Sequence, residues 1–224
     1  MTTLDNINYV FFDLDGTLTD SAEGITKSAR HALEALGIEP KDDLKSFIGP
    51  PLYESFKELY GLSLEESDLA IKYFREYFSE RGVYEHRLYD GIRELLSSLK
   101  ERGKSLVLAT SKPEKFAISI LEQYKLEPLF SFICGASMDE TRCEKSDVIS
   151  YAIDQIAEAD GISRENIKVS SVMIGDRRHD ILGAKKCGLI SIGVTFGFGS
   201  REELSLAGAD FIIDSPKEID MLIK

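Results

Sequence analysis

The stretch Tyr9-Val10-Phe11-Phe12-Asp13-Leu14-Asp15-Gly16-Thr17 decides the fold of this 224-residue chain. Its first four residues form an apolar run without alternation, which is typical of a strand buried on both faces of a parallel sheet. Two carboxylates follow, and Gly16 lets the chain leave the strand sharply. Because open α/β sheets bind ligands beyond the carboxyl ends of their strands, Asp13 and Asp15 are candidate site residues.

Further apolar runs of the same kind follow, and helical patterns separate them. The runs cover residues 105–109, 130–134, 171–174, 190–194 and 211–213. This alternation from about residue 88 onward predicts an α/β fold, a Rossmann-like three-layer sandwich around a parallel sheet. Several helix starts are predicted from the capping-box pattern. They are Ser111 with Glu114, Thr141 with Glu144, Ser200 with Glu203 and Ser215 with Glu218.

Residues 17–86 carry a different pattern. Apolar residues repeat there at helical spacing, and Gly37 and Gly61 follow two of the stripes, as glycines at helix C-termini do. This segment contains no convincing strand, so we predict a small helical bundle inserted after the first strand. The chain would then consist of an α/β core formed by residues 1–16 and 87–224, and a helical domain formed by residues 17–86.

The charge of the chain narrows its possible partners. The formal net charge is −12, and no run of Lys and Arg supplies the basic patch that a nucleic-acid binder needs. The negative charge favours solubility. A phosphate-binding site in such a chain requires local positive groups or a metal ion.

The cysteines and the hydropathy pattern predict a reducing, cytoplasmic location. Cys134, Cys143 and Cys187 are odd in number and scattered, which argues against a disulfide framework and a zinc site. Residues 1–8 show no signal-peptide pattern. No apolar run approaches the roughly 18 residues that span a bilayer. We therefore expect neither a nucleic-acid nor a membrane partner.

Two sites later in the chain carry residues that suit phosphate binding, one at the end of a predicted strand and one at the start of a predicted helix. Thr110 and Ser111 come after the run 105–109, and a hydroxyl at a strand end beside a helix N-terminus suits a phosphate oxygen. Ser111 alone could equally be a helix cap. Lys145 opens a predicted helix over residues 148–157, where a cation is unfavourable against the helix dipole. That placement suggests a functional role, with a solvated lysine as the alternative.

A second acid pair, Asp176 and Asp180, follows the run 171–174. Mg²⁺ prefers oxygen ligands and usually keeps waters and a substrate phosphate. Together with Asp13, the pair could form such a site. His179 is a poor magnesium ligand, because imidazole does not suit this ion.

These motifs and their order resemble the haloacid dehalogenase-like hydrolase superfamily, and within it the phosphoglycolate phosphatase-like branch. The stretch from Asp13 to Thr17 resembles the first motif, Thr110 the second, Lys145 the third, and Asp176 with Asp180 the fourth. The resemblance covers the whole chain and includes a helical cap at residues 17–86. One departure is Ser146 after Lys145, where family members often carry proline.

The resemblance implies a magnesium-dependent phosphatase for a small phosphorylated metabolite, such as phosphoglycolate or a nucleoside monophosphate. Asp13 would attack phosphorus and form an aspartyl phosphate. Asp15 would protonate the leaving oxygen and then activate water. This acid is absent from dehalogenases, so dehalogenation is not expected. A monomer or a homodimer is expected.

The resemblance also implies the binding groups. Mg²⁺ would be held by Asp13, the backbone carbonyl of Asp15 and Asp176, while Asp180 would hold a metal-bound water or orient Lys145. The phosphoryl oxygens would be stabilised by a further set of groups. These are Thr110, Lys145, the amides near Ser111, and the turn residues Gly16 and Thr17.

Three alternatives remain open at this stage. A phosphosugar mutase of the β-phosphoglucomutase type shares the same motifs but retains the phosphate. A phospho-acceptor domain of the receiver kind uses similar groups, although its acceptor lies on a later strand. The glycine-rich residues 196–200 weakly resemble a Rossmann nucleotide-binding loop, but they lack the third glycine and lie far from the first strand.

Overall fold

The computed structural model describes residues 3–139 and 141–224. The strands are β1 (Tyr9–Phe12), β2 (Thr19–Asp20), β3 (Arg87–Leu88), β4 (Ser105–Pro113), β5 (Phe130–Ala136), β6 (Ser171–Gly175), β7 (Ile190–Val194) and β8 (Phe211–Ile213). The helices are α1 (Ala22–Ala35), α2 (Leu52–Tyr60), α3 (Leu64–Glu80), α4 (Ile92–Glu101), α5 (Glu114–Gln123), α6 (Lys145–Asp160), α7 (Arg164–Val169), α8 (Arg178–Cys187), α9 (Arg201–Leu206) and α10 (Pro216–Leu222).

The predicted strands form one six-stranded sheet in the order β5-β4-β1-β6-β7-β8. Every neighbouring pair in this sheet is parallel. The predicted α/β fold with a parallel sheet is therefore confirmed. Four strand ends differ from the prediction. Strand β1 ends at Phe12 and not at Leu14, whereas β4, β5 and β6 continue to Pro113, Ala136 and Gly175.

Strand β1 lies in the middle of the sheet and is covered on both faces. Tyr9 and Phe11 belong to a buried cluster with apolar residues of α6 and α8. Val10 and Phe12 alternate with them and so point to the opposite face, where both are also fully buried. Burying each of these large side chains stabilises the fold by about 1.5–3 kcal/mol.

The order of the strands places a binding crevice beside β1. From β1 the chain proceeds outward through β4 and β5 on one side, and through β6, β7 and β8 on the other. The carboxyl ends of β1, β4 and β6 therefore meet at one edge of the sheet. Such a reversal of strand order is where open α/β sheets bind their ligands.

By its internal contacts the chain divides into one unit of Met1–Thr19 with Leu88–Lys224 and a second unit of Asp20–Arg87. The second unit contains α1, α2 and α3. One detail of the prediction for residues 17–86 is wrong, because Thr19–Asp20 forms the short strand β2. Two residues are too few to give a recognisable pattern. No helix within the described residues is long and apolar enough to cross a membrane.

Helices begin at two of the four predicted starts, after Ser200 and Ser215, and only Ser200 accepts a hydrogen bond from a helix amide with its side chain. The side chain of Ser200 accepts a hydrogen bond from the Glu203 amide at 3.0 Å, and Ser215 directly precedes α10. Ser111 instead lies within β4, and α5 begins only after Pro113. Thr141 donates its hydroxyl to Asp139 in a turn, and α6 begins four residues later.

Candidate active site

The predicted acidic and hydroxyl residues lie at the shared carboxyl edge of the central strands. Asp13 directly follows β1, Asp176 directly follows β6, and Thr110 lies near the end of β4. All three are almost completely buried. The register of the parallel strands sets this arrangement, since Phe12 is level with Leu108 and with Ile174.

Lys145 is the cation nearest to Asp13. Its Nζ donates a hydrogen bond to Asp13 Oδ1 at 2.7 Å and another to the carbonyl of Ala109 at 3.1 Å. It also lies 2.9 Å from Asp180 Oδ1. Gly183 makes room for the lysine, because a Cβ added there would lie 2.8 Å from Lys145 Cγ. The buried ammonium group is therefore held between two carboxylates.

Asp13, Asp176 and Asp180 form a buried group of acids that fits a divalent cation. One ligand oxygen from each lies within 4.8 Å of the others. Burial raises the pKa of Asp13 to about 6, with Lys145 opposing this shift and Asp180 adding to it. Burial and the charges of Asp180 and Asp13 raise the pKa of Asp176 well above its usual range. Three crowded carboxylates beside one lysine, all offering hard oxygen donors, suit Mg²⁺.

Backbone geometry orients Asp176. The amide of Phe198 donates to Asp176 Oδ2 at 2.7 Å, and the hydroxyl of Thr17 lies 3.5 Å from Oδ1. Gly16 has a φ of +85°, and a Cβ there would lie 2.2 Å from Asp176 Oδ2. Only glycine combines this conformation with such a close approach. Gly16 and Thr17 therefore contact Asp176, and their contact with a phosphate stays a prediction.

Asp180 is the third residue of α8 and is fixed by the start of that helix. Its Oδ2 accepts a hydrogen bond from the Arg177 amide at 3.0 Å. Gly175 leaves space for this carboxylate, since a Cβ there would lie 2.1 Å from Asp180 Cγ. The same side chain thus caps a helix and pairs with Lys145.

Thr110 and Ser111 lie in an irregular end of β4. Thr110 pairs with Gly135 and Pro113 pairs with Ala136, so two residues of β4 bulge out between these pairs. The Lys112 amide donates to Thr110 Oγ1 at 3.2 Å. Because α5 begins at Glu114, the alternative interpretation of Ser111 as a helix cap is wrong.

Lys112 is a site residue for which the sequence pattern predicts no role. This buried lysine forms an ion pair with Asp15, with Nζ 2.8 Å from Oδ2. The Asp15 carboxylate is therefore occupied by Lys112 and is not part of the group of three acids. The regular alternation of side chains along a strand is interrupted between Thr110 and Pro113, so the direction of the Lys112 side chain could not be predicted from its spacing to Thr110.

The other polar residues near α8, and the cysteines, have ordinary structural partners or surroundings. Burial and the neighbouring Arg178 lower the pKa of His179. Arg177 donates its Nε to Glu203 at 2.9 Å. Cys134 is buried, and none of the three cysteines forms a disulfide within the described residues.

Comparison with known proteins finds close relatives along most of the chain. The profile of a family described as haloacid dehalogenase-like hydrolase matches residues 10–194. A 5'-nucleotidase of Pseudomonas aeruginosa is 44% identical over 197 residues, which are 87% of this chain and 86% of that protein. A phosphoglycolate phosphatase of Vibrio parahaemolyticus is 28% identical, over 97% of this chain and 96% of its own.

Two further similarities concern a kinase and a solved structure. Tyrosine-protein kinase PtkA of Mycobacterium tuberculosis is 42% identical over 195 residues, which are 86% of this chain but 64% of that protein. The crystal structure of a predicted phosphatase from Clostridium acetobutylicum superposes with a TM-score of 0.89. It is 49% identical, and the match covers 96% of this chain and 97% of that one.

Proposed function

The chain belongs to the haloacid dehalogenase-like hydrolase family and is a phosphatase, and on that premise we propose that it hydrolyses a small phosphate monoester, with Mg²⁺, through an aspartyl phosphate. One observation carries this proposal. Asp13 stands at the carboxyl end of the central strand, bonded to a buried lysine and grouped with Asp176 and Asp180. A carboxylate held in this way can act as a nucleophile toward phosphorus.

In the first step an oxygen of Asp13 bonds to phosphorus, and the bond to the leaving oxygen breaks. Lys145 orients the Asp13 carboxylate and stabilises negative charge on the phosphoryl group. Thr110 and the amides near Ser111 donate to the other phosphoryl oxygens. Asp15 gives its proton to the leaving oxygen.

In the second step a water molecule attacks the aspartyl phosphate and restores the Asp13 carboxylate. Asp15 takes the proton from this water. Asp13, Asp176 and the carbonyl of Asp15 would hold Mg²⁺, with Asp180 nearby. When bound, the ion neutralises phosphoryl charge.

For the substrate we propose a nucleoside monophosphate first and phosphoglycolate second. The 44% identity to a 5'-nucleotidase and the 28% identity to a phosphoglycolate phosphatase support this order. We also propose that the helical unit Asp20–Arg87 acts as the cap that selects the substrate. A monomer or homodimer in the cytoplasm, without nucleic-acid or membrane partners, remains our expectation.

The similarity to PtkA favours a second candidate, transfer of phosphate to a protein tyrosine. Both activities could proceed through a phosphorylated intermediate, but only a kinase needs a nucleotide donor and a protein acceptor. The mutase and the stable phospho-acceptor also remain alternatives. The fate of the phosphate distinguishes all four.

The test is inorganic phosphate release from a panel of phosphate esters, with magnesium and with EDTA, for wild type and Asp13→Asn. The panel contains nucleoside 5'-monophosphates, phosphoglycolate, phosphosugars and p-nitrophenyl phosphate. We expect magnesium-dependent release, which Asp13→Asn abolishes, with the best rate on a nucleoside monophosphate. Lys168→Met, an exchange on α7 outside the site, serves as the control and should leave release unchanged.

Three results would contradict the proposal. Phosphate that moves within a phosphosugar without release indicates the mutase. Transfer of the γ-phosphate of radiolabelled ATP to a protein tyrosine indicates the kinase. A phosphoryl group that persists on Asp13 without hydrolysis indicates the phospho-acceptor.

A further inference from the structure

Lys112 is a buried cation that the mechanism above does not use. Its side chain is 6% exposed, and that of Asp15 is 9% exposed. A lysine loses its hydration when it is buried, so it is rarely placed there without a charged partner. The ion pair to Asp15 Oδ2 at 2.8 Å supplies that partner. The pair is separate from the one that Lys145 makes with Asp13.

The backbone of Lys112 is fixed by the bulge in β4. Bulges commonly redirect a side chain beside an active site. Here the Lys112 amide is bonded to Thr110 Oγ1, and its carbonyl packs against Gly135. A Cβ added to Gly135 would lie 2.7 Å from that oxygen. The lysine therefore extends from a rigid base toward Asp15.

The two oxygens of Asp15 have different surroundings. Oδ2 faces the ammonium group of Lys112. Oδ1 is buried, and within the described residues it has no hydrogen-bond partner. A buried polar atom without a partner is unusual in a folded protein and calls for a ligand or a reaction to explain it.

We propose that Lys112 is a positioning residue for Asp15, holding Oδ2 so that Oδ1 is the atom that exchanges the proton with the substrate. This inference rests on the proposed function. As Asp13 bonds to phosphorus, the bond between phosphorus and the leaving oxygen breaks and its electron pair stays on that oxygen. Before this step Asp15 takes up a proton from solvent on Oδ1, the oxygen that Lys112 does not hold. That proton moves to the leaving oxygen, which restores the carboxylate paired with Lys112.

This role makes a prediction about leaving groups. An alkoxide must be protonated as it departs, whereas p-nitrophenolate is stable enough to leave without a proton. Losing the alignment of Asp15 should therefore slow alkyl phosphates and spare p-nitrophenyl phosphate. The parameter to compare is kcat/KM, because it reports on the steps up to the departure of the leaving group.

The experiment measures kcat/KM for p-nitrophenyl phosphate and for a nucleoside 5'-monophosphate in wild type, Lys112→Met, Lys112→Arg and Asp15→Asn. We expect Lys112→Met to lose about 30-fold or more on the nucleotide and less than about threefold on the nitrophenyl ester, since a general acid contributes roughly 10²–10⁴-fold. Lys112→Arg keeps a donor for Oδ2 and should recover most of the nucleotide activity. Lys115→Met, an exposed lysine on α5, should change neither substrate.

The comparison stays valid if Lys112→Met folds poorly, because both substrates are measured on one preparation and the active fraction cancels from their ratio. Equal losses on both substrates would show that Lys112 acts on the phosphoryl group itself, and would overturn the inference. Full activity on both would also overturn it. Either result would leave the proposed function standing, provided that Asp15→Asn shows the leaving-group dependence. If Asp15→Asn shows none, the general-acid assignment fails and the inference fails with it.

Discussion

Three carboxylates around one ammonium group make the site of Asp13, Asp176 and Asp180 unfavourable in the absence of a cation. Burial raises the pKa of Asp13 and of Asp176, and the neighbouring negative charges add to the effect. The folded state then binds protons more tightly than the unfolded chain does. The contribution of these acids to the stability of the metal-free protein therefore falls as the pH rises from about 4 through the folded-state pKa of Asp13, which is about 6.

Asp176→Asn tests directly how much the crowded carboxylates destabilise the folded state, because it removes one of their charges. In EDTA at pH 7.5 we expect the variant to be more stable than wild type by roughly 1–3 kcal/mol. This difference in stability should shrink as the pH falls. It should vanish below about pH 4, where the carboxyl of Asp176 is protonated in the unfolded chain as well. Urea unfolding of both proteins across this range measures the difference, and other titrating groups cancel from it.

Saturating Mg²⁺ provides the control for that experiment. A ligand at 100 times its Kd stabilises the folded state by about 2.7 kcal/mol, and wild type should gain more than the variant. A variant that is less stable than wild type in EDTA at pH 7.5 would contradict the interpretation of the acid group as a cation site.

At the same scale, sequence patterns indicated some of these side chains and missed others. Asp13 and Asp176 were predictable because each follows a buried run, and the carboxyl ends of parallel strands meet at one edge. The pairing of Asp15 with Lys112 was not, because it depends on a bulge in β4. A bulge shifts the register of a strand without a distinctive residue type.

At the scale of elements, the glycine-rich segment after β7 has a role that its sequence did not suggest. Residues 196–200 lie between β7 and α9 and not at the first strand. They pack against Asp176, whose Oδ2 accepts the Phe198 amide. A Cβ added to Gly197 would lie 2.1 Å from the Gly16 carbonyl oxygen.

We therefore predict that Gly197→Ala loosens the orientation of Asp176. The magnesium concentration for half-maximal phosphate release should rise about 10-fold or more, which is the usual effect of disturbing groups that orient metal ligands. Gly103→Ala is the matched control. Gly103 has a φ of +77° and open space around it, so alanine there costs roughly 1–2 kcal/mol of stability without changing the magnesium requirement. An equal magnesium requirement in the two variants would contradict the prediction.

Strands were more predictable than helix starts. Each buried run is long enough to be recognised, and β7 and β8 form over the predicted residues. The Ser111 and Thr141 capping patterns fail because these residues have stronger alternatives, namely pairing of β4 with β5 and a local turn with Asp139. A four-residue pattern cannot reveal such competition.

At the scale of the whole molecule, we expect stability to depend on the central strand more than on any surface contact. Phe11 is fully buried in the cluster between the sheet and α6. Phe11→Ala should cost about 3–5 kcal/mol, because it removes a large apolar group and leaves a cavity. Leu206→Ala, at a residue that is 82% exposed, should change stability by less than about 0.5 kcal/mol. Urea unfolding with EDTA measures both, and similar losses would contradict the central role of β1.

The position of β1 also affects how the protein emerges from the ribosome. Tyr9–Phe12 needs β4 and β6 as neighbours, yet β4 begins only at Ser105. Since protein synthesis adds about 5–20 residues per second, this apolar strand is made roughly 5–20 s before its first partner, and longer before its second. During translation the strand is exposed to chaperones and to other nascent chains. The strand that positions Asp13 at the carboxyl edge of the sheet is therefore also a segment that needs protection from aggregation before the sheet has formed.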